Sequence, residues 1–214
     1  MDLVARALPL LLQGLVMTLF LGVVSFVLAL VLGFLITLAR LFGGPILRAV
    51  SVVYISVIRG TPILVQILIV YFGLPQVGIR LEAVPSAILA LTLHAAAYLA
   101  EDFRAGFLAV QKGQWEAGYT VGMTFFQAVR RIVMPQAVRI ITPSVGSRFI
   151  SLMKDTSLAS VVTVVELTRV AESVGSATFR YMEMFIIVAF VYWGVNSVLS
   201  LGQARLEQRL ERAY

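Results

Sequence analysis

Long apolar stretches alternate with short polar segments along the whole chain. Residues 7–39 contain no charged side chain, and at about 1.5 Å per residue a helix over this stretch exceeds the ~30 Å hydrocarbon core of a membrane. Tilt or protrusion must absorb the excess. Because Arg6 precedes the stretch and no small-residue cleavage motif follows it, we expect a first transmembrane helix rather than a removed signal peptide.

Five segments are predicted to cross the membrane. The four clearest are 8–39, 49–73, 84–110 and 183–203. The remaining one, 133–153, contains Pro143, Gly146 and Arg148, and such residues are tolerated at membrane depth only where protein or a water-filled cavity covers them. We therefore expect it to face the protein interior. Residues 157–165 are apolar but too short to cross, which predicts a re-entrant or outer-surface helix.

Composition supports an all-α integral membrane protein formed by one domain over residues 1–214. Hydrophobic residues make up 60% of the chain and charged residues 13%, too few polar groups to cover a soluble globule. The absence of cysteine excludes disulfides and thiolate metal sites, and no metal site is expected. The net charge of +6 lies in short loops, which favours membrane lipid rather than nucleic acid as the partner.

The distribution of basic residues predicts the orientation. One side would hold Arg40, Arg48, Arg104, Lys112, Arg130, Arg131, Arg139, Arg205, Arg209 and Arg212. The other would hold Arg6, Arg80, Lys154, Arg169 and Arg180. Since cytoplasmic loops carry the excess of basic residues, we expect an external N-terminus and a cytoplasmic C-terminus. The alternating Arg and Glu of residues 201–214 predict that the last span continues as a solvated helix.

A polar loop between two apolar stretches carries a distinctive pattern. Residues 116–122 read Glu-Ala-Gly-Tyr-Thr-Val-Gly, and nine residues later residues 132–135 read Ile-Val-Met-Pro. Aromatic and apolar side chains recur at positions 115, 119, 123 and 126, which predicts one face of a short helix. Gly118 and Gly122 would let a partner surface approach the backbone closely, and Pro135 suits the first turn of the following helix. An ordinary interfacial helix lying on lipid is the alternative.

This pattern resembles the EAA loop in the membrane subunits of binding-protein-dependent ABC importers, with Gly118 and Met134 as departures. Stretches at 54–62, 64–66, 71–75, 97–101, 103–106, 112–117 and 154–158 also resemble the permeases for polar amino acids, of the histidine, arginine, glutamine and glutamate type. The resemblance implies a type I ABC importer transmembrane domain with five transmembrane helices per subunit. It assigns contact with the ATPase to a loop at about 112–135, and in particular to Gln114, Trp115, Glu116, Ala117, Gly118, Gly122 and Pro135. Glu116 would cap or orient the loop.

The resemblance also implies partners: two ABC ATPase subunits, a second permease chain of the same or a homologous sequence, an extracytoplasmic amino-acid-binding protein and the amino-acid substrate, in a bacterial inner membrane. The chain has no Gly-x-x-x-x-Gly-Lys-Ser/Thr loop to cradle nucleotide phosphates. We therefore expect a non-catalytic permease without a cofactor of its own, and ATP and Mg²⁺ bound by the partner subunit. An ion-coupled secondary amino-acid carrier is the alternative, but such carriers are normally built from inverted repeats and more than five helices.

Four residues are candidates for the substrate pathway: Arg59, Thr61, His94 and Asp155. Pro62 predicts a helix break, because it lacks an N–H and disfavours a helical residue before it, and broken helices often line transport sites. A mere kink stabilised by Thr61 is the alternative. Arg59 could supply a positive charge to the pathway or form a structural ion pair. His94 could be a satisfied interior histidine or line a cavity, and Asp155 could pair with Lys154 or meet the substrate.

Two further features of the third span concern its cytoplasmic end. Glu101 and Arg104 lie three residues apart and can pair along one helix face, which predicts a structural clamp under the loop, with a substrate contact as the alternative. Asp102 stands where the family resemblance predicts an apolar residue.

Overall fold

A computed structural model describes the backbone of residues 2–211 and the side chains of residues 7–210. The side chain of Arg6 and all of Arg212, both used in the charge count, lie outside these described residues. Within them every regular element is helical, so the predicted all-α fold is confirmed. The α-helices are α1 Asp2–Phe42, α2 Pro45–Arg59, α3 Ile63–Leu68, α4 Ala83–Ala109, α5 Lys112–Thr120, α6 Phe125–Ala128, α7 Met134–Asp155, α8 Leu167–Thr178 and α9 Tyr181–Glu211.

Three helices are long and apolar enough to cross a membrane, and they coincide with three predicted spans. They cover Ala7–Phe42, Ala83–Ala109 and Tyr181–Leu210. The predicted span 49–73 is a broken pair instead, in which the chain bends by 108° between Pro45–Arg59 and Ile63–Val77. The second half of this pair ends in a π-helical turn, Ile69–Gly73, and a 3-10 helix, Leu74–Val77. Counted as one span, the pair gives a fourth crossing by length and composition.

Helix α7 corresponds to the most polar of the predicted spans. Its 22 residues reach about 33 Å at ~1.5 Å per residue, which is long enough to cross the hydrocarbon core. Because it carries Arg139, Arg148 and Lys154, it is not among the helices that are apolar enough to be assigned as membrane spans from hydropathy. The helix packs against α4 and α9, as its polar composition requires. The predicted helix at 157–165 is a 3-10 helix, Thr156–Val162, which follows α7 directly.

The core is built where small residues let helices approach closely. Helix α4 lies at the centre and packs against α1, α2, α3 and α7. A Cβ on Gly33 of α1 would lie 3.0 Å from the Ala96 carbonyl oxygen and 3.0 Å from the Leu99 Cβ. The Thr37 hydroxyl donates to the Ala100 carbonyl across this contact at 3.0 Å. Close backbone approach and interhelical hydrogen bonds are what hold helices together in lipid.

Helix α8 was not anticipated from the sequence, and a buried carboxylate organises its start. Glu166 is 0% exposed and accepts hydrogen bonds from the backbone N–H groups of Thr168 and Arg169 at 2.9 and 2.8 Å. The Tyr192 hydroxyl of α9 donates to the same carboxylate at 2.9 Å. Burial raises the pKa of Glu166, while these three donors oppose the rise. The carboxylate thus ties α8 to α9.

Candidate functional site

The break between α2 and α3 is stabilised by side chains as well as by proline. Pro62 has no N–H to donate to the Ile58 carbonyl, and the Gln66 amide donates to that carbonyl instead, at 2.8 Å. The same amide donates to the Thr61 hydroxyl at 2.9 Å. That hydroxyl in turn donates to the Val57 carbonyl at 2.9 Å. Gln66 therefore replaces the hydrogen bond that proline removes, and Thr61 takes part in the same network.

Two guanidinium groups approach one aromatic ring beside this break. The Arg148 Cζ lies 4.7 Å from the centre of the Tyr98 ring, and the Arg59 Cζ lies 5.2 Å from it. Both distances are in the range of cation–π attraction. Asp102 accepts from the Arg148 Nε at 2.9 Å. The charges of α2, α4 and α7 therefore meet around Tyr98.

A cavity of about 220 Å³ opens next to these groups. It is lined by His94, Ala95, Tyr98, Arg148, Ser151, Leu152 and Asp155. Asp155 forms no ion pair or side-chain hydrogen bond within the part of the chain that the structure describes. The cavity thus presents one guanidinium and one free carboxylate, the two charges that complement an amino-acid zwitterion.

The structure brings three of the four predicted pathway residues together. His94 and Asp155 line the cavity, and Arg59 stacks on its Tyr98 wall. The His94 Nδ1 also lies 3.1 Å from the Gln66 amide oxygen, so both interpretations of His94 describe its position. Thr61 is not among the lining residues, and its hydroxyl is engaged at the break. Tyr98 and Arg148 were missed as site residues, since nothing in their spacing indicates that they meet.

A larger cavity of about 400 Å³ lies between α7 and α9. Its lining is apolar apart from Thr142 and Gln203 and includes no charged side chain. It therefore offers nothing to the carboxylate or ammonium group of an amino acid. Among the described residues no group of acids and histidines is placed to hold a metal ion.

An ion-pair cluster lies under the polar loop. Glu101 accepts from the Arg104 Nε at 2.9 Å and also pairs with Arg40 at the end of α1. The cluster joins α1 to α4, which matches the structural role predicted for Glu101 and Arg104.

The polar loop itself is a helix, a turn and a second helix. The Trp115 ring stacks on Phe125, with centroids 5.9 Å apart and planes 21° apart, and Phe125 meets Phe42 of α1 at 5.3 Å. The Gln136 amide donates to Gln114 at 3.3 Å. These contacts fix α5 and α6 against the ends of α1 and α7.

Three expectations for this loop need correction. Positions 115–126 do not form one helical face, because α5 ends at Thr120 and Gly122 adopts a φ of +79°, a value that favours glycine. Gly118 is buried within the chain, where an added Cβ would lie 2.9 Å from the Ile132 Cδ1. Its small size therefore serves internal packing rather than a partner. The Glu116 side chain is exposed and caps nothing among the described residues; Thr124 and Gln127 form the capping box.

Exposed residues mark the outer surface of the loop. Gln114, Glu116 and Ala117 are exposed on α5, and Phe126 is 83% exposed. Val121 at the turn is 72% exposed. Pro135 lies in the first turn of α7. A π-helical turn, Val129–Val133, comes directly before it, and the Met134 N–H donates to the Val129 carbonyl at the end of that turn. Exposed apolar side chains such as Val121 and Phe126 on a polar loop are typical of a contact with another protein or with a membrane surface.

A helical membrane protein with a broken helix beside a charged cavity belongs to the class of membrane transport proteins. The profile of the family described as binding-protein-dependent transport system inner membrane component matches residues 27–212. This chain belongs to that family. It is therefore a permease component of an ABC transport system and not an enzyme, and the family resemblance predicted from the sequence is confirmed.

Relatives and solved structures agree with this assignment. The chain is 43% identical to the L-cystine transport system permease protein TcyB of Bacillus subtilis, over 95% of this chain and 88% of the relative. It is 39% identical to the glutamine transport system permease protein GlnP of Escherichia coli, over 96% and 94% of the two chains.

The fold is shared with crystal structures of whole transporters. A chain in an amino acid ABC transporter solved with histidines matches with a TM-score of 0.91 and 38% identity, over 96% of both chains. A chain of the inward-facing MetNI methionine ABC transporter matches with a TM-score of 0.72 and 21% identity, over 98% of this chain and 97% of that one. The latter likeness concerns the fold alone. The type I ABC importer transmembrane domain is confirmed.

Proposed function

We propose that the chain forms the membrane pathway of an ATP-driven importer for polar or charged amino acids, with the loop at 112–135 as its contact with ATPase subunits. The observation that carries the coupling is the exposed apolar surface of this loop. Phe126 and Val121 are 83% and 72% exposed, while Phe125, stacked on Trp115, holds the loop against α1 by an edge-on contact with Phe42. A rigidly held loop can transmit a displacement to the helices behind it.

The cavity beside Tyr98 supports an amino acid as cargo. Stripping water from a carboxylate or an ammonium group costs several kcal/mol unless a partner replaces it. Arg148 suits the carboxylate, and Arg59, which also contacts the Tyr98 ring, adds a second positive charge nearby. Asp155 suits the ammonium group. The names of the relatives, which specify cystine and glutamine, agree with this class of substrate.

In the proposed cycle the access to this cavity alternates. ATP binding closes two ATPase subunits, moves the loops of two permease subunits together and opens the cavity to the outside, where an amino-acid-binding protein delivers cargo. The second permease is an identical or a homologous chain. ATP and Mg²⁺ bind to the ATPase, and the bacterial inner membrane, with the N-terminus outside and the C-terminus in the cytoplasm, is the proposed location.

Replacing the most exposed loop aromatic tests this function. We expect Phe126→Ser to lower co-purification of the ATPase and uptake of glutamine or cystine in proteoliposomes at least about tenfold, because buried aromatic anchors often contribute more than ~1.4 kcal/mol to an interface. Phe179→Ser is the matched control, since Phe179 is 90% exposed between α8 and α9, far from the loop in sequence.

Retention of the ATPase and of uptake in Phe126→Ser would contradict the coupling assignment. Uptake by the wild-type chain without any ATPase subunit would favour the ion-coupled carrier instead.

A further inference from the structure

One ion pair links the helices on either side of the candidate cavity. Asp102 lies on α4 and Arg148 on α7; the Arg148 Nε is 2.9 Å from the Asp102 Oδ2, and a second nitrogen lies 3.5 Å from the Oδ1. The Asp102 side chain is 13% exposed and the Arg148 side chain 36%. Partial burial limits screening by water, so each charge strongly affects the potential felt by its neighbours.

The pair also orients Arg148. Its guanidinium lies 4.7 Å from the Tyr98 ring centre and lines the cavity together with Asp155. Asp102 itself does not line the cavity. Its nearest link to a bound molecule is therefore its ion pair with Arg148.

The charges around the cavity balance. Arg59 and Arg148 contact Tyr98, Asp102 pairs with Arg148, and Asp155 faces the cavity without an ion-pair partner among the described residues. These four groups, two positive and two negative, carry no net charge; Lys154, next to Asp155, is exposed and does not line the cavity. Without Asp102 the same surroundings would carry one excess positive charge.

We propose that Asp102 is a specificity-determining residue that acts through Arg148: by neutralising it, Asp102 sets the cavity for amino acids without net charge. The inference rests on the proposed function and names the substrate class of the same site. An amino acid with an anionic side chain would gain from a free Arg148, and one with a cationic side chain would lose. Asp102 therefore disfavours anionic cargo.

The test is direct binding to the complex of this permease with its ATPase, purified without the binding protein, because a binding protein selects cargo before it reaches the membrane. The probes are radiolabelled glutamine, glutamate and arginine. For the wild type we expect glutamine to bind tightest. In Asp102→Asn we expect the ratio of glutamate affinity to glutamine affinity to rise at least about tenfold, since one unpaired charge now faces the ligand.

Further variants separate charge from structure. Asp102→Glu keeps the charge and should keep the wild-type ratio. Arg148→Gln should shift preference toward arginine, and Asp102→Asn combined with Arg148→Gln should restore the wild-type ratio, because the surroundings are again neutral. Glu183→Gln, which removes the surface pair of Arg180 and Glu183 at 2.7 Å, should change none of the ratios.

Each outcome bears on one of the two proposals. If Asp102→Asn binds glutamine with an unchanged glutamate ratio, or if the double variant does not restore the wild-type ratio, the specificity inference is wrong and Asp102 only joins α4 to α7. Uptake by a wild-type complex that binds none of the probes would also overturn the inference and leave the transport function intact. A wild-type complex that shows no binding and no ATP-driven uptake of any amino acid would contradict the proposed function itself.

Discussion

Gln66 is the side chain on which the helix break depends most directly. Its amide donates to the Ile58 carbonyl at 2.8 Å, to the Thr61 carbonyl at 3.1 Å and to the Thr61 hydroxyl at 2.9 Å. Its oxygen faces the His94 Nδ1 at 3.1 Å. One amide therefore satisfies the backbone that Pro62 leaves open and positions a histidine of the cavity.

We expect Gln66→Leu to destabilise the protein by about 1–3 kcal/mol, the usual cost of a buried polar group left without a partner. Unfolding of the detergent-solubilised protein, followed by temperature or denaturant, measures the change. Gln76→Leu is the control, because Gln76 is exposed and its amide donates a long hydrogen bond, 3.4 Å to the Phe72 carbonyl. Equal stability of the two variants would mean that Pro62 alone maintains the break.

Among single residues, the sequence predicts those features whose chemistry is local. Proline lacks an N–H wherever it occurs, so the break at Gly60 to Pro62 could be predicted. Gln66 and Arg148 could not be assigned, because their partners Ile58 and Asp102 are found only once the helices are packed. Asp102 stood out in the sequence as a departure from the family pattern, and the structure supplies the reason, an ion pair with Arg148.

At the scale of elements, Glu166 joins α8 to its neighbours. Its two carboxylate oxygens accept from Thr168, Arg169 and Tyr192. The adjacent Leu167 N–H donates to the Thr18 hydroxyl of α1 at 3.3 Å. The start of α8 is thus the meeting point of three helices.

We expect Glu166→Gln to lower the free energy of unfolding by about 1–3 kcal/mol, because an amide has one acceptor oxygen and would place an NH₂ group against a donor. Burial raises the pKa of Glu166 in the folded state. A raised pKa means that the protonated carboxyl group stabilises the folded state. This stabilisation is complete below the ordinary carboxyl pKa and is lost as the pH rises through the raised pKa. The Gln variant should lack this part of the pH dependence.

Thermal unfolding measured over a pH series checks both statements. Glu172→Gln is the control on the same helix, since Glu172 is 39% exposed and, among the described residues, pairs only with Arg169. A wild-type pH profile that Glu166→Gln leaves unchanged would show that Glu166 does not titrate in this range.

Long apolar helices were easier to predict than short ones. The uncharged run at 7–39 is longer than the ~30 Å hydrocarbon core requires, so α1 follows from hydropathy alone. Helix α8 has only 12 residues and depends on a buried cap for its start. The loop helices α5 and α6 were merged in the prediction, because a repeat of apolar positions continues across the turn at Gly122 while the backbone does not.

For the whole molecule, the outer helices are largely uncovered. Only 11% of the apolar stretch of α9 and 28% of that of α1 are buried within the chain, against 56% for α4. The remaining apolar surface needs lipid or a second membrane subunit. A central α4 with mostly exposed α1 and α9 is therefore the arrangement expected of one subunit in a membrane assembly.

The orientation of the molecule can be tested with single cysteines, since the chain has none. Lys112 and Arg80 are both exposed, and the charge distribution predicts a cytoplasmic position for the first and an external one for the second. On intact spheroplasts a membrane-impermeant thiol reagent should label Arg80→Cys and spare Lys112→Cys. Both should be labelled after lysis, and the reverse pattern in intact spheroplasts would invert the topology.

The π-helical turn at Val129–Val133 has a consequence for how the loop can vary between relatives. A π-turn amounts to one extra residue inserted in an α-helix. Deleting one residue there would restore regular α geometry and rotate everything before it by about 100° about the axis of α7. The direction in which Phe126 points would change while α7 kept its place. Insertions and deletions at this turn, more than substitutions, would therefore change the direction in which the outer surface of the loop faces from one relative to another.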